Sequence, residues 1–280
     1  MRRALVTGAG GMLGGAVAEA MGPDWDVLEA DIGEFDVSNG DETRAAVEAA
    51  SPDVVINCAA YTDVDGAESD PESAFAVNAA GAGSVARAAA AAGARLIHIS
   101  TDYVFDGMKD GPYTEDDDPN PMGVYGESKL EGEKQVLRSD GACLILRTAW
   151  LFGSRGRNFV DTVLSLAAEG RPLRIVDDQR GSPTYARDLA AIIRELACSR
   201  VTGILNATNS GATTWYGFAL TILQDAGISD VAVVPVATSE FPRPAPRPRS
   251  SVLSLDRLSG VLGWTPRTWQ EAVAEYLSER

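Results

Sequence analysis

Short apolar runs alternate with helical patterns through the first half of the chain. Ala4–Thr7, Trp25–Ala30, Val54–Cys58, Leu96–Ser100 and Cys143–Arg147 read as strands. Between them, Ala16–Met21, Glu42–Ala50, the Ala-rich stretch Pro71–Ala92 and Tyr125–Ser139 read as helices. Strands that are apolar throughout, each followed by a helix, imply parallel β–α–β units with both sheet faces covered. Right-handed crossovers turn such units into a doubly wound α/β fold.

After about residue 150 the rhythm changes. Short strands (Leu173–Val176, Gly203–Asn206, Val231–Val236) mix with helices at Phe159–Ala168, Ala186–Ala197, Tyr216–Ala226 and Trp269–Ser278. Residues 1–150 are therefore expected to form the sheet domain, and 151–280 a smaller α/β part with some segments returning to the sheet. Gly107–Val124, rich in Asp, Pro and Gly, reads as a long surface loop, and ordered loops of that length tend to be functional. Phe241–Arg249, FPRPAPRPR, reads as a rigid extended linker.

Composition narrows the partners. The 280 residues carry 40 acids against 24 Lys and Arg, a net charge of −16. That balance argues against nucleic-acid or anionic-membrane binding. No apolar stretch is long enough to span a bilayer, and the N-terminus lacks a signal-like apolar run. Cys58, Cys143 and Cys198 are scattered and form no CxxC, so they fit small buried residues in a reducing cytoplasm.

The first strand runs directly into Gly8-Ala9-Gly10-Gly11-Met12-Leu13-Gly14. Glycines spaced G-x-x-G-x-x-G between a strand and a helix suit a dinucleotide. The turn needs a positive φ, the pyrophosphate needs close backbone approach, and the helix N-terminus offers free N–H groups. Gly8, Gly11, Met12, Leu13 and Gly14 are the candidate contacts, and the sheet is then a Rossmann sheet. Asp31 ends the second strand, where an acid accepts the ribose hydroxyls and repels a 2′-phosphate. The cofactor is thus expected to be NADH or NADPH, with NADH favoured. Asp36 and Val37 follow within reach of the adenine. Ala59, Ala60 and Tyr61, beyond the third strand, flank the nicotinamide ribose.

Tyr125-Gly126-Glu127-Ser128-Lys129 places a phenol and an ammonium on one helical face. A carbonyl reductase needs a proton donor for the developing alkoxide, and a neighbouring lysine is expected to lower the phenol's pKa. Ser100-Thr101-Asp102 ends the fourth predicted strand, where parallel sheets bind ligands. A hydroxyl there can bond the reacting oxygen. Thr101 is the choice, with Ser100 the alternative. His98, the single histidine, lies inside that strand and reads as a core residue. With one histidine and no clustered acids, neither a hydrolase triad nor a metal site is expected.

Together the segments TGAGGMLG, NCAAYTDVDGAE, STDYVFDG, YGESKLEGE, RTAWLFG and DDQRGSPTYARDLA closely resemble the dTDP-4-dehydrorhamnose reductases of the extended short-chain dehydrogenase/reductase class. The resemblance spans nearly the whole chain. It implies NAD(P)H-dependent reduction of the 4-keto group of dTDP-4-dehydro-L-rhamnose to dTDP-L-rhamnose. It also implies that Thr101, Tyr125 and Lys129 are catalytic. Asp102, Tyr103 and Trp150 match positions beside the sugar. Arg247, in the Pro/Arg run, is a candidate diphosphate contact. Some members dimerise through magnesium held by acids. The matching positions here are Gly15 or Ala16 and Arg187, so a homodimer without that bridge is expected. The alternatives are a related nucleotide-sugar 4-ketoreductase or epimerase and a non-catalytic regulatory subunit.

Overall fold

A computed structural model describes residues 1–280. Six strands form the main sheet: β1 (Arg2–Thr7), β2 (Trp25–Ala30), β3 (Val54–Asn57), β4 (Arg95–Thr101), β5 (Cys143–Thr148) and β6 (Gly203–Asn206). The longer helices are α1 (Met12–Met21), α2 (Gly40–Ala50), α3 (Ala82–Ala91), α4 (Val124–Leu137), α5 (Phe159–Ala168), α6 (Ala186–Ala197), α7 (Trp215–Asp225) and α8 (Trp269–Ser278).

The strand order is β6-β5-β4-β3-β1-β2, and every pairing is parallel. The chain winds outward from β1 in both directions. The strand order therefore reverses between β1 and β3, and a crevice opens there at the carboxyl ends of the strands. The sheet draws its last strand, β6, from the C-terminal half.

Alternate side chains of each strand enter different cores. Ala4, Val6, Val54, Ile56, Ile97, Ile99, Leu144 and Leu146 pack under α1 and α6. Leu5, Val55, Leu96 and Ile145 pack on the opposite face with residues of α2 and α3. Both faces are thus dry, which explains why the strands read as unbroken apolar runs. A third core lies entirely within Phe152–Tyr276. There Phe152, Phe218, Trp269 and Tyr276 pack among α5, α7 and α8. The apolar helical patterns expected for these segments fold onto one another rather than onto the sheet.

Three local readings change. Helix α1 begins at Met12, four residues before the apolar pattern suggested, because the glycine turn ends directly in its first turn. The Ala-rich stretch is interrupted: Ala76–Gly81 is a π-helical segment between Pro71–Phe75 and α3. Phe241–Arg249, expected as a rigid extended linker, is docked on the protein, with Ala245 and Pro248 buried. The 107–124 loop is held in place as well. Tyr113 is buried and exchanges backbone hydrogen bonds with Val252 and Ser254, at 2.7 Å each. No helix is long and apolar enough to cross a membrane.

The third core stands on its own packing, so it yields a direct test. Phe218 is fully buried within it. Phe218→Ala is expected to lower the unfolding free energy by about 3–5 kcal/mol, read from denaturant melts.

Candidate active site

The carboxyl ends of the strands border a cavity of about 760 Å³, within the size range of small-molecule sites. Its floor at one end is the glycine turn. Gly8 sits at φ +66°, and a Cβ there would lie 2.7 Å from the Ala59 nitrogen. A Cβ on Gly14 would lie 2.1 Å from the Gly8 carbonyl oxygen. Both positions therefore require glycine for backbone to pass backbone. Helix α1, like α3, α4 and α6, has no side-chain N-cap, and it alone of these follows the glycine turn. Its first amides, around Met12, Leu13 and Gly14, keep their donors for an anion.

Asp31 stands at the rim. Its carboxylate accepts the Gly10 N–H at 2.8 Å and the Ile32 N–H at 2.9 Å. The Glu34 carboxylate accepts the Asp31 N–H at 2.8 Å. Two acids thus stand together at the β2 end of the cavity. Asp36 and Val37 line the same end, and Ala59, Ala60 and Tyr61 form the wall beyond β3. Asn78, in the π-helical segment, holds that wall. It accepts the Tyr61 N–H at 2.9 Å and donates to the Tyr61 carbonyl and to Ser128 Oγ, at 3.0 Å each. A π-segment re-aims one side chain out of helical register, and such segments recur at functional sites. The composition-driven reading of an Ala-rich helix gave no signal of this role.

At the other end, Thr101, Tyr125 and Lys129 line one stretch of the cavity. Thr101 ends β4 and caps the next turn through its hydroxyl, which accepts the Tyr103 N–H at 3.2 Å. Ser100 faces away and donates to Glu133 at 2.5 Å. Lys129 Nζ donates to the Ile99 carbonyl at 2.6 Å. Burial brings the Lys129 ammonium down to about 8, against the pull of Glu133. The Tyr125 phenol departs from the sequence expectation. Burial pushes it up to about 12, with the Thr101 hydroxyl pulling it down and Asp102 pushing it up. The Lys129 ammonium donates to a backbone carbonyl, and burial, Thr101 and Asp102 set the phenol's shift. His98 lies in the sheet interior, its ring nitrogen 3.1 Å from Asn57 Nδ2. Burial drives its pKa well below the ordinary value.

Asp102, Tyr103 and Trp150 line the cavity mouth. Trp150 adopts φ +46°, a left-handed conformation unusual for a non-glycine residue. Its indole stacks on Trp215 with centroids 3.5 Å apart and planes 6° from parallel. Trp215 in turn donates its indole N–H to Gln179 at 3.2 Å. Trp215 and Gln179 escaped the sequence reading, because they reach the back of Trp150 only through α7 and the 177–181 turn. Arg157, in the 153–158 loop, also lines the cavity and makes no ion pair.

Arg247 is placed differently. It lies behind the wall, with its guanidinium 5.8 Å from the Tyr103 ring centre and 3.0 Å from Asp65 Oδ1. Asp65 also accepts the Ala245 N–H at 3.2 Å and pairs with Arg243 at 3.7 Å. One carboxylate therefore fastens the Pro/Arg segment beside the site.

The family described as RmlD substrate binding domain matches residues 1–280. A dTDP-4-dehydrorhamnose reductase of Mycobacterium tuberculosis is 45% identical over 99% of this chain and 92% of its own length. The chain belongs to the dTDP-4-dehydrorhamnose reductase family. A crystal structure of dTDP-4-dehydrorhamnose reductase from Bacillus anthracis, in complex with NADP, superposes with a TM-score of 0.96. It is 37% identical, and all of both chains is covered. A Streptomyces antibioticus protein named "Probable dTDP-4,6-dihydroxy-2-methyloxan-3-one 4-ketoreductase" is 41% identical over 98% of this chain and 94% of its own length.

Asp102 supplies a pH test. Burial raises its carboxyl to about 6, against the hydroxyls of Ser251 and Thr101, and Asp102 Oδ2 has no hydrogen-bond partner. An ordinary aspartate titrates near 4. The folded chain therefore holds the extra proton between those values. This stabilising effect is full below about pH 4 and is lost as pH rises through about 6, by about 2–3 kcal/mol. Asp102→Asn is expected to raise the melting temperature above pH 7, with the gain vanishing near pH 4.

Proposed function

We propose that this chain reduces the 4-keto group of dTDP-4-dehydro-L-rhamnose to dTDP-L-rhamnose, using NADH or NADPH. The observation that carries the reading is the meeting of Thr101, Tyr125 and Lys129 at the strand ends, in the same cavity as an uncapped, glycine-lined helix start. The cradle fits a dinucleotide. The amides around Met12, Leu13 and Gly14 would hold its pyrophosphate, and Asp31 its ribose. A bound reduced nicotinamide supplies hydride to the carbonyl carbon. Tyr125 gives the proton to the carbonyl oxygen. With a pKa of about 12, its phenol is fully protonated at neutral pH, as a donor must be. Thr101 bonds the same oxygen and orients it. Lys129, cationic below about pH 8, grips the nicotinamide ribose.

Asp102, Tyr103 and Trp150 hold the sugar, with the Trp150 indole fixed by Trp215 against the apolar sugar face. Arg247, paired with Asp65 behind the Tyr103 wall, would reach the diphosphate only by leaving that pair. Asp31 and Glu34 favour NADH by repelling a 2′-phosphate, although the Bacillus anthracis relative binds NADP. The three cysteines are unpaired, which suits a cytoplasmic enzyme. The 41% identity to a 4-ketoreductase from Streptomyces antibioticus supports a second reading, in which the substrate is another dTDP-linked keto sugar.

Mixing the protein with dTDP-4-dehydro-L-rhamnose and either cofactor should bleach the reduced-nicotinamide absorbance, with a higher kcat/KM for NADH. No bleaching with any keto sugar of a dTDP-linked panel refutes the reductase reading. Turnover of a different panel member favours the second. Tyr125→Phe is expected to lower kcat by about 10²–10⁴-fold, measured in the same assay. The ammonium form of Lys129 is lost as pH rises, so kcat/KM is expected to fall above about pH 8.

A further inference from the structure

Helix α4 buries an ion pair that no step above uses. Glu133 and Arg147 are 1% and 2% exposed. The Glu133 carboxylate accepts Arg147 Nε at 2.9 Å, Arg147 Nη2 at 2.6 Å and Ser100 Oγ at 2.5 Å. Arg147 also lies 5.0 Å from the Phe105 ring centre, and its Nη1 has no partner. A buried pair of this kind gives little net stability, since desolvation offsets the attraction, and an apolar pair of similar volume commonly does as well. Its placement is therefore the informative part.

Tyr125, Lys129 and Glu133 recur every four residues and share one face of α4. That face meets three successive residues of β4. The Ile99 carbonyl takes Lys129 Nζ, and Ser100 Oγ bonds Glu133. Thr101 adjoins Tyr125, whose phenol its hydroxyl pulls down. Arg147 stands opposite Ser100 in the β4–β5 register and closes the row from the far side.

We propose that Glu133 is a positioning residue of this reductase, its carboxylate holding Lys129 as a cation and, through Ser100, fixing the Thr101 strand end against Tyr125. The proposal rests on the reductase reading only for what Lys129 does in turnover. The groups around Lys129 are Cys58 beyond β3, His98 on β4, Tyr125 and Glu133 on its own helix and, on the far side of Glu133, the Arg147 guanidinium on β5. Burial pushes the Cys58 thiol up to about 12 and the His98 imidazolium well down, so both are neutral at pH 7. Tyr125 is neutral as well. Glu133 is the one anion in the set, and it opposes the desolvation that would strip the Lys129 proton.

The chain's three lysines, Lys109, Lys129 and Lys134, make the test direct. NMR of protein with isotopically labelled lysine ε-carbons follows each ammonium separately through a pH titration. Glu133→Gln removes the charge. Glu133→Gln/Arg147→Met removes it without stranding a buried guanidinium, and keeps a folded sample available. In Glu133→Gln the Lys129 midpoint is expected to drop by about one pH unit or more, and by less in the double variant, which also removes a cation, with Lys109 and Lys134 unmoved in both. The alkaline limb of kcat/KM should shift by the same amount. A Lys129 midpoint equal to the parent's in a folded variant overturns the proposal. A lowered midpoint in a chain that reduces no keto sugar upholds the Glu133–Lys129 coupling and refutes the reductase reading instead.

Discussion

The main sheet is covered on both faces, and this constraint governs where chemistry can occur. Side chains pointing up or down from β1, β3, β4 and β5 enter dry cores. Polar groups that must meet a ligand are left the strand ends. Parallel pairing puts all the carboxyl ends on one side, and the order reversal between β1 and β3 keeps the connections from crossing that opening. The glycine turn after β1, the wall after β3, Thr101 at the end of β4 and Trp150 just beyond β5 therefore share one cavity, although they span most of the first half of the chain.

Burial then sets the electrostatics. The protein carries a net −16, yet its inferred ligands are anionic. The positive character needed is local: the start of α1 and Arg157, which both line the cavity. Inside the cavity the same desolvation acts on opposite charge types with opposite signs. It raises Tyr125 and Asp102 and lowers Lys129. Each group is pushed towards its neutral form, and the neighbouring hydroxyls and carboxylates decide how far.

The helices around the site are fastened by side chains remote from the reacting groups. Asn78 ties the Tyr61 wall to α4, Trp215 backs Trp150, Asp65 secures the Pro/Arg segment, and Glu133 joins α4 to β4 and β5. Each of these uses atoms of side chains that are unremarkable in composition or spacing. Burial shows the same influence on Tyr125, leaving the phenol at a higher pKa than Y-x-x-x-K spacing alone suggests.

What was legible in the sequence is what depends on near neighbours along the chain. Strand and helix periods, the glycine spacing after β1, the acid ending β2 and the four-residue step from Tyr125 to Lys129 are local geometry, and they suffice to read the fold class and many residues of the cavity, though not Arg157 or the place of Arg247. What the tertiary structure decided depends on partners distant in sequence. Arg247 meets Asp65 across 182 residues, and Asn78 meets Ser128 across 50. The stacking of Trp150 on Trp215 and the burial that sets each pKa are of the same kind. No local period encodes such contacts, because they exist only once separate cores have packed and excluded water from the space between them.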